Sequence, residues 1–522
     1  MIDYLKYKEI AEQIFRDVDV LSDEKIYRYR TEIFPVINCI IFYKFMSEKF
    51  KRFITEFQAM KDIKEDYETF YNDDVNYEAF IAYLYENVGY LIEPGNFFED
   101  FIEQINEGTF DFLYFKNALL QFTESKYDIV AGERTDILKR KRFDIDDLFT
   151  HIDFDSKRLG NRVKDRQATI KHMIKAVDES IKQSRINIDE YMHLFDVIEE
   201  MQTVGSFMRR VDNFPLSISN LVSELIEHGA NSKSNLYIPF ETNGFPTAIM
   251  AQQNNFESVH ADVWRESEYN MSRLAYIIHD IDNYSVRKSR FLEISSKEES
   301  YDVIFTNLLR LRDSKFDFED FANETNYKYL QENKIFNEKK DSLMNEILER
   351  LNENGMMVII SSLSFISNMG EDVFKNLITD SNIVECIIEL PKSSLYSSIN
   401  TPYITILNKA RNSDEDIMLI DASRGYVAKD RTNELQPHHI SNIMDVYQSK
   451  SIKPGLSTLV SAADFYEKIR RFFRMSDFIT PILEQEHLDP IQAKEDIKQL
   501  SLQIENEQKR IDGLIDTLKL YE

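Results

Sequence analysis

The sequence predicts an α/β protein with a helical N-terminal region, a doubly wound and mostly parallel sheet, and a C-terminal helix. From residue 1 to about 186, apolar side chains recur at the three- and four-residue spacing of amphipathic helices. From about residue 234, short strand-like runs alternate with helical segments, which is typical of βαβ crossovers in a parallel sheet. We therefore predict three domains, with the boundaries 1–186, 187–450 and 451–522.

The helical domain is rich in Phe and Tyr, and we expect these rings to form its core rather than to stack on bases. More helices follow, and the last of them is predicted to end at Gly229. Two helices are predicted inside the α/β domain, at 270–279 and at 340–354, the second closed by Asn354-Gly355. The predicted strands cover 234–239, 258–263, 301–306, 356–361, 383–390, 403–408 and 417–421.

The segment 489–522 is predicted to be a polar helix with a coiled-coil-like seam. Ile497, Ile504, Ile511 and Leu518 repeat at every seventh residue. Packing onto its own domain and docking onto a partner helix explain this stripe equally well, because the spacing shows only that one face is buried.

The composition is that of an acidic globular protein. The 522 residues include 63 Lys and Arg against 91 Asp and Glu, which gives a formal net charge of −28. With 43% hydrophobic residues the chain can bury large cores, so general disorder is excluded. This charge argues against a protein that coats nucleic-acid phosphates in general, because that role requires clustered Lys and Arg. The short basic runs are interpreted mainly as solvated faces, and they lie at 139–142, 157–166, 209–210 and 287–290.

No feature of the sequence predicts a membrane or secreted protein. The longest apolar stretch, 36–46, contains Asn38 and Lys44 and is shorter than the ~20 residues that a membrane span requires. The chain does not open with a basic segment followed by an apolar one, so we predict no secretory signal. Cys39 and Cys386 are too few for a disulfide framework or a zinc site. We expect a cytoplasmic protein.

A series of short motifs follows the strand pattern through the α/β domain. In order, they are Asn354-Gly355 before the strand 356–360, Ser364-Phe365, a strand ending in Leu390-Pro391, Ile399-Asn400-Thr401 before the strand 404–409, and Ile420-Asp421-Ala422-Ser423. This order resembles the modification (M) subunits of type I restriction-modification systems, which are adenine-N6 DNA methyltransferases. Residues 42–49 resemble the N-terminal domain of that family, and the tail resembles the helix that joins its specificity subunit.

The resemblance implies a Rossmann-like methyltransferase fold and S-adenosylmethionine as the cofactor. It implies double-stranded DNA, a specificity subunit and a restriction or translocase subunit as partners, with no membrane involved. The resemblance extends over nearly the whole chain. The motifs that carry the chemistry in that family are altered here.

The cofactor loop of the family reads Asp-Pro-x-x-Gly-Ser-Gly after the first strand. Its counterpart here keeps Pro239 and Gly244, whereas Ile238 takes the Asp position and Thr242 takes a Gly position. A β-branched residue is unfavourable where φ is positive, so Thr242 weakens the loop as a cofactor site. The family's Gly-x-Phe-Tyr-Thr-Pro loop, which closes over the cofactor, matches here at Gly205 and Phe207.

An acidic residue at the end of the second strand binds the ribose hydroxyls in folds of this kind. Counting back from the helix 269–279 places Val263 at that position, with Asp262 one residue away. Successive strand residues point to opposite faces, so an ungapped register leaves no ribose ligand unless Asp262 takes the role. The other interpretation makes Asp262 and Glu241 solvated loop acids and Gly244 a turn glycine.

The catalytic motif of the family, Asn-Pro-Pro followed by Tyr or Phe, ends the fourth strand. It holds an adenine that has swung out of the duplex, and its Asn side chain binds the exocyclic amine. Here Asn307 is kept, both prolines are leucines, and Arg310 replaces the aromatic ring. The resemblance therefore implies Asn307 and Arg310 as catalytic positions, since a guanidinium can stack on a base. The alternative is that Asn307 only caps the strand end.

Four motifs that should surround one pocket are altered, whereas the strands and helices around them keep a regular apolar pattern. This contrast predicts a protein that has kept the fold of the family without its catalytic activity. The leading hypothesis is a degenerate M subunit that binds DNA and assembles with a specificity subunit, without a bound cofactor. A second hypothesis is an active methyltransferase with divergent motifs that uses S-adenosylmethionine. A third is a regulator that binds restriction subunits without DNA. No metal site is predicted, because His438-His439 has no Cys or carboxylate cluster at ligand spacing.

Overall fold

The structure is a computed structural model in which two compact units can be distinguished, Met1–Ile479 and Thr480–Glu522. The predicted C-terminal helix, 489–522, lies outside the described residues apart from Lys509, and the bounds of the three predicted domains stay predictions. The described residues are 4–19, 30–123, 145–150, 152–205, 215–263, 265–288, 299–309, 347–362, 376–395, 401–412, 414–428, 432–469, 473–480 and 509.

Helices occupy the described chain as far as Gly229, where the last of them ends as predicted. Their core is aromatic: the ring of Tyr43 packs edge-on against Phe115 and Phe122, at 6.2 and 5.4 Å between centroids. The helices are α1 Tyr4–Asp19, α2 Arg30–Lys61, α3 Tyr67–Tyr71, α4 Asp74–Asn87, α5 Phe98–Glu107, α6 Phe112–Thr123, α7 Val163–Ser184, α8 Tyr191–Gly205 and α9 Leu216–Gly229.

A single sheet forms the centre of the α/β half in the described residues, with the strand order β11-β8-β6-β7-β5-β4-β1-β2-β3. Strands β7 and β11 run antiparallel to their neighbours and the remaining pairs are parallel, so the predicted fold class is confirmed. The strands are β1 Asn235–Ile238, β2 Ser258–Val263, β3 Tyr284–Lys288, β4 Tyr301–Asn307, β5 Leu351–Ser362, β6 Val384–Glu389, β7 Pro402–Asn408, β8 Ile417–Asp421 and β11 Ser457–Val460. A separate pair consists of β9 Val427–Ala428 and β10 Asn433–Glu434.

Helices cover the sheet because successive strand residues point to opposite faces. On one face, Val303 and Phe305 of β4 share a core with Leu225 of α9. On the other face, Ile304 shares a core with Phe465. The α/β half contains the helices α10 Phe245–Asn254, α11 Glu266–Ile278, α12 Pro437–Ser449 and α13 Ala462–Ile469.

The predicted helix 340–354 is wrong at its end. In the described part, residues 347–349 are helical and β5 begins at Leu351, so Asn354-Gly355 lies inside a strand. The strand is irregular there, since Tyr301 pairs with Leu351 whereas Val303 pairs with Met356. A Cβ atom on Gly355 would lie 3.0 Å from the carbonyl oxygen of Asp302, so the glycine permits a close approach of two strands.

Strands β3 and β11 were not predicted. Both are edge strands of four or five residues, and their side chains are mostly half-buried, which gives them no clear apolar signal. Among the described helices, none has the length and apolar character needed to span a bilayer. Cys39 and Cys386 are buried free thiols, and burial raises the pKa of each.

Candidate cofactor and base pocket

The fold brings the predicted site residues to one edge of the sheet. Strand β1 lies between β2 and β4 and is parallel to both, so the residues at the carboxyl ends of these strands are neighbours. Pro239 and Gly244 follow β1, Asp262 is the penultimate residue of β2, and Asn307 ends β4. Phe207 and Arg310 lie outside the described residues.

Gly244 is fixed by its backbone and by packing. Its φ of +78° belongs to the left-handed region, and it is the N-cap residue of α10. A Cβ atom there would lie 2.6 Å from the Cα of Ser272 and 3.0 Å from the Cβ of Ala275, both in α11. The turn and the contact with α11 therefore account for this glycine.

Glu241 is the residue at which the glycine loop departs most from the sequence-based expectation. It is 3% exposed, so its interpretation as a solvated acid is wrong. One carboxylate oxygen accepts the backbone N–H groups of Thr242 and Gly244, at 2.6 and 3.2 Å. The other accepts the hydroxyls of Tyr276, at 3.1 Å, and of Thr247. The loop thus binds an anion of its own at the start of α10, where backbone N–H groups attract negative charge.

A second buried acid, Glu199 of α8, ties this loop to the helical region. Its carboxylate accepts Nδ2 of Asn243 at 3.5 Å and Nδ2 of Asn38, in α2, at 2.5 Å. Sequence reasoning missed Glu199, because its two partners are far from it in the chain. The loop is therefore held both from within, by Glu241, and from outside.

Asp262 is completely buried, and its interpretation as a solvated acid is also wrong. Its carboxylate accepts the hydroxyl of Tyr237 at 2.5 Å and Nε of Arg287 at 3.0 Å. The strand register places Asp262 beside Arg287 of β3. Val263 follows on the opposite face of the strand. Asp262 therefore faces the interior with Tyr237.

The contacts of Asp262 continue into a larger, partly buried network. Arg287 donates to Glu299 at 2.9 Å, Tyr301 donates to Glu299 at 2.7 Å, and the Tyr301 ring stacks on Tyr237 at 4.5 Å. Burial, and then the charge of Asp262, raises the pKa of Tyr237. Burial lowers the pKa of Arg287, but Asp262 and Glu299 outweigh it and hold the pKa above its usual value.

This network also explains part of the basic run 287–290. Arg287 binds Asp262 and Glu299, and Lys288 pairs with Glu266. The charges of these two residues are therefore neutralised by carboxylates of the same chain. Arg287 and Lys288 therefore serve the edge strand β3 rather than a free cationic surface, and Arg290 lies outside the described residues.

Asn307 adopts a local turn at the end of β4. Its side chain is 7% exposed, and Oδ1 accepts the backbone N–H of Leu309 at 3.2 Å. This is the Asx turn of a residue that caps a strand end. Within the part of the chain that the structure describes, the buried Nδ2 has no hydrogen-bond partner.

Two histidines, His279 and His439, have partners within the protein. Nε2 of His279, at the end of α11, lies 2.9 Å from Oδ1 of Asp196 in α8, and both side chains are buried. Nδ1 of His439 accepts the backbone N–H of Gln436 at 3.0 Å and caps α12. Over the described ranges, no group of His, Cys, Asp and Glu has an arrangement suited to a metal ion.

Comparison with known proteins shows which family the α/β half of the chain resembles. Residues 240–470 match the N-6 DNA Methylase family. The methylase subunit of the type I restriction enzyme MpnII from Mycoplasma pneumoniae is 19% identical over 490 residues, which cover 86% of each chain. The predicted resemblance to type I methylase subunits is confirmed.

The crystal structure of a type I restriction-modification methyltransferase subunit from Streptococcus thermophilus has the same fold. It matches with a TM-score of 0.68 at 16% identity, over 89% of this chain and 98% of that chain. The chain is thus a protein like the methylation subunits of type I systems, from its helical region through its sheet. The N-6 DNA Methylase match begins at residue 240, inside the loop that Glu241 closes.

Proposed function

We propose that this protein is a type I M-subunit-like component that binds DNA and assembles with a specificity subunit but does not transfer methyl groups. The observation that carries this proposal is the bonding of Glu241. Its carboxylate accepts two backbone N–H groups and two hydroxyls in and around the glycine loop. These loop N–H groups are the donors that a cofactor would use.

S-adenosylmethionine is the cofactor that the N-6 DNA Methylase family implies, and the residues present do not fit it. The loop N–H groups of Thr242 and Gly244, which the cofactor would need, already donate to the buried carboxylate of Glu241. A cofactor would have to displace these charge-assisted hydrogen bonds, which are stronger than bonds between neutral groups. We therefore derive no reaction step through this cofactor.

Two further observations support the same proposal. Asp262, the candidate for the ribose, is held by Tyr237 and Arg287 inside the protein. Asn307, the candidate for the adenine amine, uses its carbonyl oxygen to close a turn on Leu309. At the glycine loop, at Asp262 and at Asn307, the polar group that a ligand would need is already hydrogen-bonded to another group of this chain.

The proposed partners follow from the type I resemblance. Double-stranded DNA and a specificity subunit are the principal ones, and a restriction or translocase subunit is a further one. The helical region and the sheet both have large buried hydrophobic cores, which supports a role in binding and assembly that depends on the folded protein. The buried link from α2 through Glu199 to the loop holds that loop to the helical region.

The proposal is tested by reconstituting the full chain with a specificity subunit and a duplex that contains the recognition sequence. Two quantities are measured on one sample: retention of the duplex, and transfer of a labelled methyl group from S-adenosylmethionine to adenine. We expect DNA retention without transfer, and the same result for Asn307→Ala. Transfer that Asn307→Ala abolishes would establish an active enzyme. Assembly without DNA retention would indicate a regulator of restriction subunits.

A further inference from the structure

The basic run 157–166 leaves most of its charges exposed. The exposed basic side chains of the run are those of Lys157, Arg158, Arg162 and Lys164. Within the part of the chain that the structure describes, Lys157, Arg162 and Lys164 form no ion pair with a carboxylate, whereas Arg166 lies 3.8 Å from Asp155. This run therefore differs from Arg287 and Lys288, whose charges are neutralised by carboxylates of the same chain.

The acidic residues beside this run stabilise the backbone rather than the exposed cations. Asp155 pairs with a lysine of α6 and with Arg166. Asp165 accepts the backbone N–H of Arg162 at 3.1 Å, and Asp153 accepts the backbone N–H of Asp155 at 3.0 Å. These carboxylates hold the connection in shape, and the exposed cations of the run remain available to a partner.

The connection holds these cations at the start of α7. The backbone N–H of Gly160 donates to the carbonyl of Lys157 at 3.2 Å, which closes a turn. Gly160 packs on the first turn of α7, since a Cβ atom there would lie 2.6 Å from the backbone nitrogen of Arg166. The guanidinium of Arg166 also donates to the carbonyl of Gly160 at 3.2 Å. The turn and the helix start therefore form one unit, with Lys157 on the turn and Arg162 and Lys164 at the helix start.

We propose that residues 157–164, the basic loop, bind the phosphate backbone of double-stranded DNA. The inference rests on the proposed function and names the surface through which the subunit holds the duplex. The guanidinium of Arg162 can bind two phosphate oxygens, and the ammonium groups of Lys157 and Lys164 supply point charges. Backbone N–H groups at the start of a helix attract anions as well. Such contacts position a duplex without reading its sequence.

The distribution of charge elsewhere in the chain favours this surface. The segment 62–111, which contains α3, α4 and α5, has 14 Asp and Glu against one Lys, so it repels a phosphate backbone. At β3, Lys288 already pairs with Glu266. In a chain with a net charge of −28, DNA binding requires a local cluster of cations without carboxylate partners, and the basic loop supplies one.

The test measures the salt dependence of DNA binding by the assembly of the full chain with a specificity subunit. Fluorescence anisotropy gives the affinity for a labelled duplex at several salt concentrations. The loop variant combines Lys157→Gln, Arg162→Gln and Lys164→Gln. It should reduce the magnitude of the slope of log K against log salt concentration by roughly 2 to 3, since each phosphate contact contributes about 0.9. An unchanged slope, with DNA still bound, would overturn the inference.

A control variant removes the same amount of charge from positions that have carboxylate partners. It combines Lys175→Gln, Lys288→Gln and Lys450→Gln, and each of these lysines is about half exposed and paired with a glutamate. The slope should not change in this variant. An equal reduction in both variants would overturn the inference, because net charge rather than the basic loop would then set the slope.

Thermal unfolding shows whether each variant folds. If the loop variant does not fold, the three single variants at Lys157, Arg162 and Lys164 replace it, and each should reduce the magnitude of the slope by about 0.9. A single variant that folds and leaves the slope unchanged would remove its residue from the contact, and three such variants would overturn the inference.

Cross-linking tests whether the basic loop lies against the duplex. Val163 is 47% exposed, and Cys39 and Cys386 are buried, so a photoreactive group can be attached selectively to Val163→Cys. This group should cross-link to the duplex. The same group on Met60→Cys, 60% exposed and next to the acidic segment 62–111, should not. DNA retention without a cross-link from Val163→Cys, or equal cross-linking from both positions, would overturn the inference.

The same assembly separates this inference from the proposed function. DNA retention with an unchanged slope in the loop variant overturns the inference alone. Methyl transfer by an assembly whose slope falls in the loop variant overturns the proposed function alone. Assembly without DNA retention overturns both.

Discussion

The helical region and the carboxyl edge of the sheet both bury charged side chains, but they use them differently. In the helical region, Lys44 of α2 is 2% exposed and pairs with Asp178 of α7 at 3.2 Å and with Glu48 at 2.8 Å. That arrangement joins two helices. At the carboxyl edge, Glu241 accepts N–H groups of the glycine loop, and Asp262 accepts Tyr237 and Arg287. The difference shows that buried charges join two helices in one region, whereas in the other they fix a loop and an edge strand.

The largest expected effect comes from removing a buried charge at the sheet edge. Asp262→Ala leaves Nε of Arg287 and the hydroxyl of Tyr237 without their acceptor, which should cost about 3–5 kcal/mol of unfolding free energy. Urea denaturation measures the change, and Glu257→Ala, at an exposed position next to β2, is the control. A loss below about 1 kcal/mol would show that Asp262 is not part of the core, because exposed substitutions fall in that range.

A glycine pair separates backbone strain from contact with α11. Gly244 and Gly108 have nearly the same φ, +78° and +80°, but only a Cβ on Gly244 would meet neighbouring atoms within 4 Å. Gly108→Ala should therefore cost about 1 kcal/mol for strain alone. Gly244→Ala should cost about 3 kcal/mol, because overpacking adds to the strain. Equal losses in thermal or urea unfolding would show that the loop does not pack on α11.

The smallest effect is expected for an ion pair in the helical region. Glu190 accepts Nζ of Lys6 at 2.5 Å and the hydroxyl of Tyr7 at 2.9 Å. The bond from Lys6, and then the backbone N–H of Asn187, lower the pKa of Glu190 from 4.5 to about 2. A depressed carboxyl pKa stabilises the fold above the unfolded value, and that stability is lost as pH falls from 4.5 towards 2.

Glu190→Gln checks this sign. Since the pair is partly exposed, the variant should lose no more than about 1 kcal/mol at neutral pH. The difference in unfolding free energy between the variant and the unmodified protein should shrink as pH falls below 4.5 and vanish near 2. Urea midpoints measured across this range provide the test. A difference that grows with acidification would contradict the assigned direction of the pKa shift.

The sequence predicted most of the sheet, because its central strands are apolar on both faces. The predicted strands 258–263 and 417–421 agree with β2 and β8 to the residue. The helix 340–354 failed because Asn354-Gly355 has the composition of a helix end, whereas here it permits a bulge between β4 and β5. Composition alone does not distinguish these two uses of a glycine.

The candidate site was predictable in position but not in its bonding. Motif order places Gly244, Asp262 and Asn307 at the carboxyl edge, where the structure has them. The partners of Asp262, by contrast, lie 25 residues away on either side, at Tyr237 and Arg287. Only the strand register brings such partners together, so no local pattern could reveal that the acids are buried.

Calorimetric titration of the unmodified full chain with S-adenosylmethionine tests the central claim most directly, with Glu241→Gln titrated in parallel. The account predicts no binding heat for the unmodified protein at millimolar cofactor, because Glu241 already occupies the loop N–H groups. Any binding should be stronger in Glu241→Gln, because a neutral amide oxygen competes more weakly than a carboxylate for the loop N–H groups. Micromolar binding by the unmodified protein, unchanged or weakened in Glu241→Gln, would contradict the account.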